Sequence, residues 1–265
     1  MCMTVNAADS QTEEIIAKIK TLKNKVSQSG DFDFAAFFDF DGTIVAGDIT
    51  EGYENHYVGL AEKAIKAGLA KEKSFSRFIE KYEELLQESH EKAYVYVAEL
   101  FANLTEEQYE KLHPLIDEHF AKTLQKHYFH SSIGFLEELH KAGVQIHIVS
   151  ASPSIFVKAA QKTLPYLPSE NFTGINRQRD GRGRLKDPIV NYGEGKVLRL
   201  RRLTTGKNRK VFPLAAFGNS WSTDGPFLKW LARQGGVAVM INGKKAPKEK
   251  HGCWLVRQER LISED

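Results

Sequence analysis

Two aspartates separated by one residue, Asp39 and Asp41, follow a short run of apolar and aromatic residues. On an extended chain, residues two positions apart point to the same side, so both carboxylates can face one site. An acidic pair beside an apolar strand is costly unless a cation compensates it. The pair therefore indicates an anionic site that binds a cation, although paired aspartates after a strand also cap ordinary turns.

Polar residues also follow other apolar runs that have the pattern of strands. Ser150 follows one run, Asn219 and Asp224 follow another, and Lys196 lies near a helix start between them. Each has an ordinary explanation, because serine and aspartate cap helices and lysine is usually solvated. In parallel sheets, however, ligands bind at the carboxyl ends of the strands. Since four separate elements bring polar groups to this edge, we predict a single site there.

The hydrophobic pattern predicts alternating strands and helices, which is typical of an α/β fold whose parallel sheet is covered on both faces. Residues 49–126 are helical in pattern, with capping signals at Ser74 and at Thr105 with Gln108, and predict an inserted second domain. The predicted strands are Ala35–Phe40, Val144–Val149, Asn171–Ile175, Leu214–Phe217, Val237–Ile241 and Cys253–Val256. The predicted helices are one that opens with a capping box at Ser10 and Glu13, Ser131–Ala142, one that starts at Ser152 and Pro153, Gly195–Leu203 and Asp224–Arg233.

Four segments resemble the motifs of the haloacid dehalogenase superfamily. FFDFDGTIV is similar to the first motif, an Asp-x-Asp-Gly-Thr after a hydrophobic strand, and IVSAS, GEGK and FGNSWSTD are similar to the second, third and fourth. The resemblance covers residues 35–241 and keeps the motifs in the family's order. It implies a Rossmann-like three-layer core, residues 1–47 and 128–265, with a mostly helical cap, residues 48–127, inserted as in phosphoserine phosphatase-like members.

The resemblance implies a catalytic role for several side chains. Asp39 would attack phosphorus and form an aspartyl-phosphate, and Asp41 would act as general acid and then as general base. Ser150 and the neighbouring backbone at Ala151 would hold phosphoryl oxygens. Lys196 would bridge the phosphate and the nucleophile, which lowers the repulsion between two anions. Dehalogenases of the superfamily usually lack the second aspartate, so its presence favours phosphate as the substrate group.

The resemblance also implies a Mg²⁺ site, formed by Asp39, the backbone carbonyl of Asp41 and residues of the fourth motif. The family usually has aspartate directly after the glycine of that motif, whereas this chain has Asn219. An amide offers a neutral oxygen, so we expect weaker metal binding, with Asp224 as a further ligand, directly or through water. Thr43 would orient Asp41 or, together with Asn219, contact the substrate.

The substrate expected from the resemblance is a small phosphorylated metabolite, and amine-containing esters such as phosphoserine and phosphocholine are among the candidates. Asp48 and Glu51 could meet an ammonium group, although acidic residues also favour the first turn of a helix. Tyr53, Tyr57 and Trp221 could form part of an aromatic cage for a quaternary ammonium group, although ordinary packing is the favoured explanation for all three.

Composition limits the class of protein. The 265 residues are 42% hydrophobic and 27% charged, which excludes collagen-like and disordered chains. No run reaches the roughly 18 apolar residues of a membrane span. Residues 1–14 lack the pattern of a secretory signal, and the two cysteines, Cys2 and Cys253, are too few for a disulfide framework or a cysteine zinc site. We therefore expect a cytoplasmic protein without a membrane partner.

Charge is unevenly distributed along the chain. Residues 177–210 contain 12 Lys and Arg against 3 Asp and Glu, a balance of +9, whereas the whole chain has a formal net charge of +3. This basic segment leaves open a role in steering an anionic substrate, a solvated flap without function, or binding of an anionic polymer. Nucleic acid is the least favoured partner because no reader motif is present. A haloacid dehalogenase fold that binds ligands without catalysis is a further alternative.

Overall fold

A computed structural model describes residues 7–52, 59–122, 124–205, 210–241 and 253–256. The chain forms two compact units. The first unit comprises Met1–Val45, Tyr128–Val149 and Gly193–Asp265, and the second comprises Ala46–His127 and Ser150–Tyr192. The bounds of a cap at residues 48–127 stay a prediction.

The described strands form one sheet with the order β3-β2-β1-β4-β5-β6. Strand β1 pairs in parallel with β2 and β4, and β5 pairs in parallel with β4 and β6, which confirms the predicted α/β class. The strands are β1 (Phe32–Phe38), β2 (Gln145–Pro153), β3 (Phe172–Ile175), β4 (Lys210–Gly218), β5 (Val237–Ile241) and β6 (Cys253–Val256).

The described helices alternate with the strands, apart from a helical run between β1 and β2. They are α1 (Ala7–Ser27), α2 (Leu60–Lys66), α3 (Phe75–Glu88), α4 (His90–Leu100), α5 (Glu106–Lys122), α6 (His130–Lys141), α7 (Ser154–Ala159), α8 (Glu194–Thr204) and α9 (Gly225–Arg233). Short 3-10 helices span Leu124–His127, Ala160–Thr163 and Ser169–Asn171. None of the helices in these described ranges is long and apolar enough to cross a membrane.

In the first unit, neighbouring phenylalanines of β1 serve opposite faces of the sheet because side chains alternate along a strand. Phe37 joins a buried cluster with Leu200 of α8 and Phe227 of α9. Phe38 stacks on Phe217 of β4, with ring centroids 4.1 Å apart, and Phe217 lies 4.8 Å from Phe135 of α6. Helices therefore cover both faces, which confirms the three-layer arrangement.

In the second unit, the helices begin where the capping signals predict. The backbone N–H of Thr105 donates to Gln108 Oε1 at 2.9 Å, and the N–H of Gln108 donates to Thr105 Oγ1 at 3.2 Å, so the predicted capping box before α5 is confirmed. The Ser74 side chain accepts a bond from the N–H of Arg77 and caps α3. Phe78 of α3 is buried, and its ring lies 6.2 Å from that of Tyr96 of α4.

Two predicted helix starts are wrong. Helix α1 begins at Ala7, so Ser10 lies inside it and is not its N-cap residue. Strand β2 does not end at Val149 but continues to Pro153, and α7 begins only at Ser154. Residues 150–152 of β2 are small and buried, and Pro153 occupies the last position of the strand.

Candidate active site

Strand β1 delivers Asp39 to the carboxyl edge of the sheet. The backbone N–H of Asp39 donates to the carbonyl of Phe217 at 2.9 Å, which continues the pairing of β1 with β4 by one residue. The chain then turns, and the carbonyl of Phe40 accepts bonds from the N–H groups of Thr43 and Ile44 at 3.2 and 2.8 Å. Asp39 is only 4% exposed, so the fold holds a carboxylate in a nearly dry position.

Helix α8 places the ammonium of Lys196 against this carboxylate. Lys196 is fully buried, and its Nζ donates to Asp39 Oδ1 and to Asp224 Oδ1, both at 2.6 Å. Burial by itself would lower the pKa of Lys196. The carboxylates of Asp224 and Asp39 outweigh burial, and the pKa is raised above its ordinary value. Lys196 therefore stays a cation and bridges two anions.

Asp224 organises the loop between β4 and α9. Its Oδ2 accepts hydrogen bonds from the backbone N–H groups of Asn219 and Ser220 at 2.9 and 3.0 Å. A Cβ at Gly218 would lie 2.5 Å from the Asp224 Cβ, so only glycine allows this close approach. Since its Oδ1 accepts from Lys196, both oxygens of this buried carboxylate receive hydrogen bonds from the protein.

Thr43 and Asn219 complete the surroundings of Asp39. The hydroxyl of Thr43 donates to Asp39 Oδ2 at 3.0 Å and lies 3.5 Å from Asn219 Oδ1. Gly42 has a φ of +71°, and a Cβ there would lie 1.9 Å from Asn219 Nδ2. The glycine therefore gives both the left-handed turn and the space for the Asn219 amide.

Ser132, which belongs to none of the sequence motifs, also supports this arrangement. The hydroxyl of Ser132, fully buried in α6, donates to the carbonyl of Thr43 at 2.5 Å and fixes the turn after Asp39. The only signal in the sequence is a pair of serines, Ser131 and Ser132, on a helix whose neighbouring positions are apolar. A buried polar residue of this kind usually has a specific bonding partner.

The first unit gathers more negative than positive charge around Asp39. When ionised, Asp39, Asp41 and Asp224 carry three negative charges against the single positive charge of Lys196. Burial, followed by the charge of Asp224, raises the pKa of Asp39 to about 7; Lys196 opposes this rise and the half-buried Asp41 adds to it. Burial is the first cause of this rise and the excess of negative charge the second, and a divalent cation would favour the ionised form of Asp39.

The oxygen atoms around Asp39 fit a hard cation. Among the residues that the structure describes, no three His, Cys, Asp or Glu side chains are placed to hold a metal ion. A cation at Asp39 would therefore need neutral donors as well, and Asn219 Oδ1 is one, beside the Thr43 hydroxyl. Carboxylate, amide and carbonyl oxygens are the ligands that Mg²⁺ accepts, together with water.

Other predicted site residues belong to the second unit. Ser150 is fully buried in β2, and its Oγ accepts a bond from the N–H of Ser152 at 2.9 Å, with Ala151 between them. Asp48 Oδ1 accepts from the N–H groups of Thr50 and Glu51 at 2.7 and 2.9 Å, so this carboxylate stabilises a turn. The roles of Ser150, Ala151 and Asp48 toward a substrate stay predictions.

The predicted aromatic cage is described only in part. Tyr53 and Tyr57 lie outside the described residues. Trp221 belongs to the first unit, where Lys229 Nζ lies 5.5 Å from its ring centroid. Its ring also lies against Gly225 at the start of α9, where a Cβ would approach it to 2.9 Å. These contacts are those of ordinary packing.

The basic segment is not one surface. Lys196 and Arg199 are buried in α8, whereas Arg182 and Arg184 are exposed in a turn held by Asp180, whose Oδ1 accepts their backbone N–H groups at 2.8 and 2.9 Å. Arg177 pairs with Glu99. Residues 206–209 lie outside the described part of the chain.

A family model for haloacid dehalogenase-like hydrolases matches residues 36–229. This range covers more than half of the chain and includes Asp39, Lys196 and Asp224. The chain belongs to this family. The family resemblance stated from the sequence motifs is therefore confirmed, and the buried Asp39–Lys196–Asp224 cluster lies within the matched hydrolase region.

Solved structures similar to this haloacid dehalogenase-like chain support the fold. A protein of unknown function from Bordetella pertussis Tohama I is 16% identical, with a TM-score of 0.63, and the match covers 85% of this chain and 99% of that one. A functionally unknown protein from Anaerococcus prevotii DSM 20548 is 17% identical, with a TM-score of 0.61 and coverage of 93% and 90%. Cytosolic 5′-nucleotidase IIIB bound to cytidine is 14% identical, with a TM-score of 0.54 and coverage of 95% and 87%. No curated protein sequence matches the chain.

Proposed function

We propose that this chain is a Mg²⁺-dependent phosphomonoester hydrolase that uses Asp39 as its nucleophile. One observation carries the proposal: Asp39 is almost fully buried, and Lys196 Nζ holds one of its oxygens at 2.6 Å while the Thr43 hydroxyl holds the other at 3.0 Å. A buried carboxylate with both oxygens oriented is costly to keep for stability alone. Such an oriented carboxylate is what nucleophilic attack on phosphorus requires.

The proposed reaction has two steps, and the protons balance in each. In the first, a carboxylate oxygen of Asp39 bonds to phosphorus, the bond from phosphorus to the leaving oxygen breaks, and Asp41 gives that oxygen its proton. In the second, Asp41 takes a proton from water while the water oxygen bonds to phosphorus. The aspartyl-phosphate bond then breaks, inorganic phosphate leaves, and both aspartates return to their starting forms.

Lys196 would keep a positive charge beside Asp39 during both steps. Its ammonium lies between two carboxylates and has no room to leave, because its side chain is fully buried. An incoming phosphate dianion would meet this cation beside the nucleophile, which lowers the repulsion between two anions. We further propose that Ser150 and the backbone at Ala151 bind phosphoryl oxygens.

We propose that Asp39, Asn219 and the backbone carbonyl of Asp41 hold Mg²⁺. When bound, the ion would neutralise charge on the phosphoryl oxygens. Asp224 would support the site by holding the backbone of Asn219 and Ser220 in place and by fixing Lys196. The neutral amide at position 219 makes the expected affinity for Mg²⁺ weaker than that of an all-carboxylate site.

The proposed substrate is a small phosphorylated metabolite. The sequence predicts that Asp48 meets an amine of the substrate, but this carboxylate already accepts two backbone N–H groups through Oδ1. We therefore propose the substrate at the level of a phosphate monoester, without an ammonium requirement.

The test is hydrolysis of p-nitrophenyl phosphate with Mg²⁺, comparing the natural chain with Asp39→Asn. The variant keeps the shape and removes the nucleophile, so we expect turnover to fall at least about a thousandfold. Asp33→Asn, at the other end of β1, is the matched control and should keep turnover. Persistent turnover in Asp39→Asn would rule out Asp39 as the nucleophile. No turnover in the natural chain, together with no Mg²⁺ binding, would favour a binding protein without catalysis.

A further inference from the structure

The second unit contains a cavity that the proposed phosphoryl transfer does not use. Its volume is about 340 Å³, near the lower end of the range for small-molecule sites. The end of β2, α7, the end of β3 and the helices α4 and α5 contribute its walls. Phe101, Ile155 and Ile175 line it, and Phe101 is only 3% exposed. The apolar part of the cavity is therefore preformed.

An aromatic side chain fixed by a hydrogen bond forms one wall. The Nε2 of Gln178 donates to the hydroxyl of Tyr109 at 2.8 Å, and both residues line the cavity. The ring of His113, one turn further along α5, lies 6.5 Å from the Tyr109 ring at an interplanar angle of 32°. Two neighbouring rings that line one wall suit a flat apolar group, because aromatic faces bury a large area at little cost in rotamer entropy.

The charged residues that line this cavity are all basic. Lys158, Lys162 and Arg177 contribute three positive charges, and none of the described residues of the lining is an aspartate or glutamate. Lys162 pairs with Asp117 at the surface, where such pairs contribute little stability. Lys158 is exposed and forms no ion pair with any residue in the described ranges. Arg177 pairs with Glu99, so among the three basic residues of the lining only Lys158 brings a positive charge that no described carboxylate compensates.

Arg177 is the best-placed anchor for an anion. Its side chain is only 16% exposed, and its Nε and Nη2 both approach a single oxygen of Glu99, at 3.4 and 3.3 Å. These distances are long for charge-assisted hydrogen bonds, which are usually near 2.7–2.9 Å. A planar guanidinium held by one loosely bonded partner can accept a second oxyanion in bidentate geometry.

We propose that this cavity is a second ligand site, which binds a small organic anion with a flat apolar body. The body lies on Phe101, Ile155 and Tyr109, and the acid group meets Arg177 and Lys158. Charge complementarity selects the acid group, and the apolar walls select the body over a free inorganic ion. The proposal does not depend on phosphoryl transfer at Asp39.

The first test uses two matched probes, naphthalene-2-carboxylate and the uncharged naphthalene-2-carboxamide, with binding to the natural chain measured by isothermal titration calorimetry. We expect the carboxylate to bind at one site and the carboxamide to bind at least about tenfold more weakly, since both have the same ring system and only one carries charge. Equal affinities, or no binding of the carboxylate, would overturn the proposal.

Variants then locate the site. Lys158→Met keeps the length of an exposed side chain and removes its charge, so carboxylate affinity should fall about fivefold. Gln178→Glu can still bond to the Tyr109 hydroxyl but adds a negative charge. It should weaken the binding of the carboxylate without weakening that of the carboxamide.

Lys111→Met, on the exposed face of α5, is the control. Asp39→Asn should leave binding unchanged. If Lys158→Met matches the control, or Asp39→Asn removes binding, the cavity is not the site.

Discussion

In the first unit, Lys196 lies between Asp39 and Asp224 with no exposed side-chain surface, and the two carboxylates are 6% and 0% exposed. In the second unit, Lys92, Lys111 and Lys122 pair with glutamates one helical turn earlier, with side chains 61–73% exposed. The distances are similar, from 2.5 to 2.8 Å, so distance does not distinguish the two kinds of pair. Exposure to solvent distinguishes them, because water screens the attraction between the charges of an exposed pair much more than it does in a buried pair.

The difference shows what each kind of ion pair does for the chain. Each exposed pair one turn apart stabilises its helix by a few tenths of a kcal/mol, so removal of one pair has little effect on stability. A buried pair often contributes no net stability, because the cost of removing two charges from water offsets their attraction. Net stability therefore does not account for the Asp39–Lys196–Asp224 cluster, and the proposed function assigns it the orientation of a reactive carboxylate.

The largest effect is expected from Lys196→Met. This change leaves two buried carboxylates without a cation, so we expect loss of phosphatase turnover and a loss of stability of about 3–5 kcal/mol in the absence of metal. Urea unfolding in EDTA measures the second effect. Lys111→Met, which removes the lysine of an exposed pair, should leave the unfolding midpoint almost unchanged. Equal midpoint shifts would contradict the distinction between buried and exposed pairs.

Two glycines with the same backbone conformation allow a comparison between the units. Gly42 and Gly68 both have a φ of +71°, but a Cβ at Gly68 would meet no atom within 4 Å, whereas one at Gly42 would lie 1.9 Å from Asn219 Nδ2. Gly68→Ala should lower the free energy of unfolding by about 1 kcal/mol, because of backbone strain alone. Gly42→Ala should cost about 1–3 kcal/mol more, because the Asn219 amide must move.

Denaturant unfolding of both glycine variants measures this difference, and Mg²⁺ titration should show weakened binding only for Gly42→Ala. The same stability and the same Mg²⁺ affinity in both variants would show that Asn219 is not held where the turn places it.

The second unit has a buried histidine beside a half-buried lysine, and this histidine is expected to make the stability of the protein depend on pH. His119 is fully buried, and Lys63 Nζ donates to its Nδ1 at 3.1 Å. Burial, with the nearby charges of Lys63 and His127, lowers the pKa of His119 from 6.5 to about 4. Between these values the unfolded chain binds the proton and the folded chain does not, so stability should fall by on the order of 2 kcal/mol as pH falls from 6.5 to 4.

Unfolding at a series of pH values tests this expectation. His119→Gln should flatten the curve between pH 6.5 and 4, and His113→Gln, on the exposed face of the same helix, should not. A curve in His119→Gln as steep as that of the natural chain would assign the pH dependence to other groups.

The smallest effect concerns the charge at position 219. Asn219→Asp adds a carboxylate beside Asp39, so we expect Mg²⁺ affinity to rise about tenfold, or 1.4 kcal/mol. Without Mg²⁺, the same variant should be slightly less stable, because a further negative charge is added to the cluster. Calorimetric titration with Mg²⁺ checks the first effect, and unchanged affinity would show that residue 219 does not contact the ion.

Local signals predicted much of the fold. The apolar run Val237–Ile241 has the same bounds as β5, and the bond pattern of Thr105 and Gln108 follows directly from their spacing. The capping signal at Ser10 failed because a serine three residues before a glutamate also occurs inside helices. Strand β2 was cut short because Pro153 favours a helix start, whereas burial of the preceding residues favours a strand.

The sequence predicted which residues belong to the site, but not all of the contacts between them. The motif resemblance placed Lys196 beside Asp39, 157 residues earlier in the chain, and the structure has their atoms 2.6 Å apart. It named Asp224 as a metal ligand, directly or through water, and this stays a prediction; in the structure both oxygens of Asp224 accept hydrogen bonds from the protein. The close fit of Gly42 against Asn219 depends on backbone positions that no local pattern encodes.

The most direct test of the central claim is to trap the covalent intermediate on Asp39. The chain is mixed with p-nitrophenyl phosphate and Mg²⁺, quenched in acid within the first turnover, and digested for mass spectrometry. We expect one added phosphoryl group on the peptide that contains Asp39 and Asp41, located at Asp39. A phosphoryl group on another residue, or steady turnover with no trapped phosphoryl group on this peptide, would contradict it.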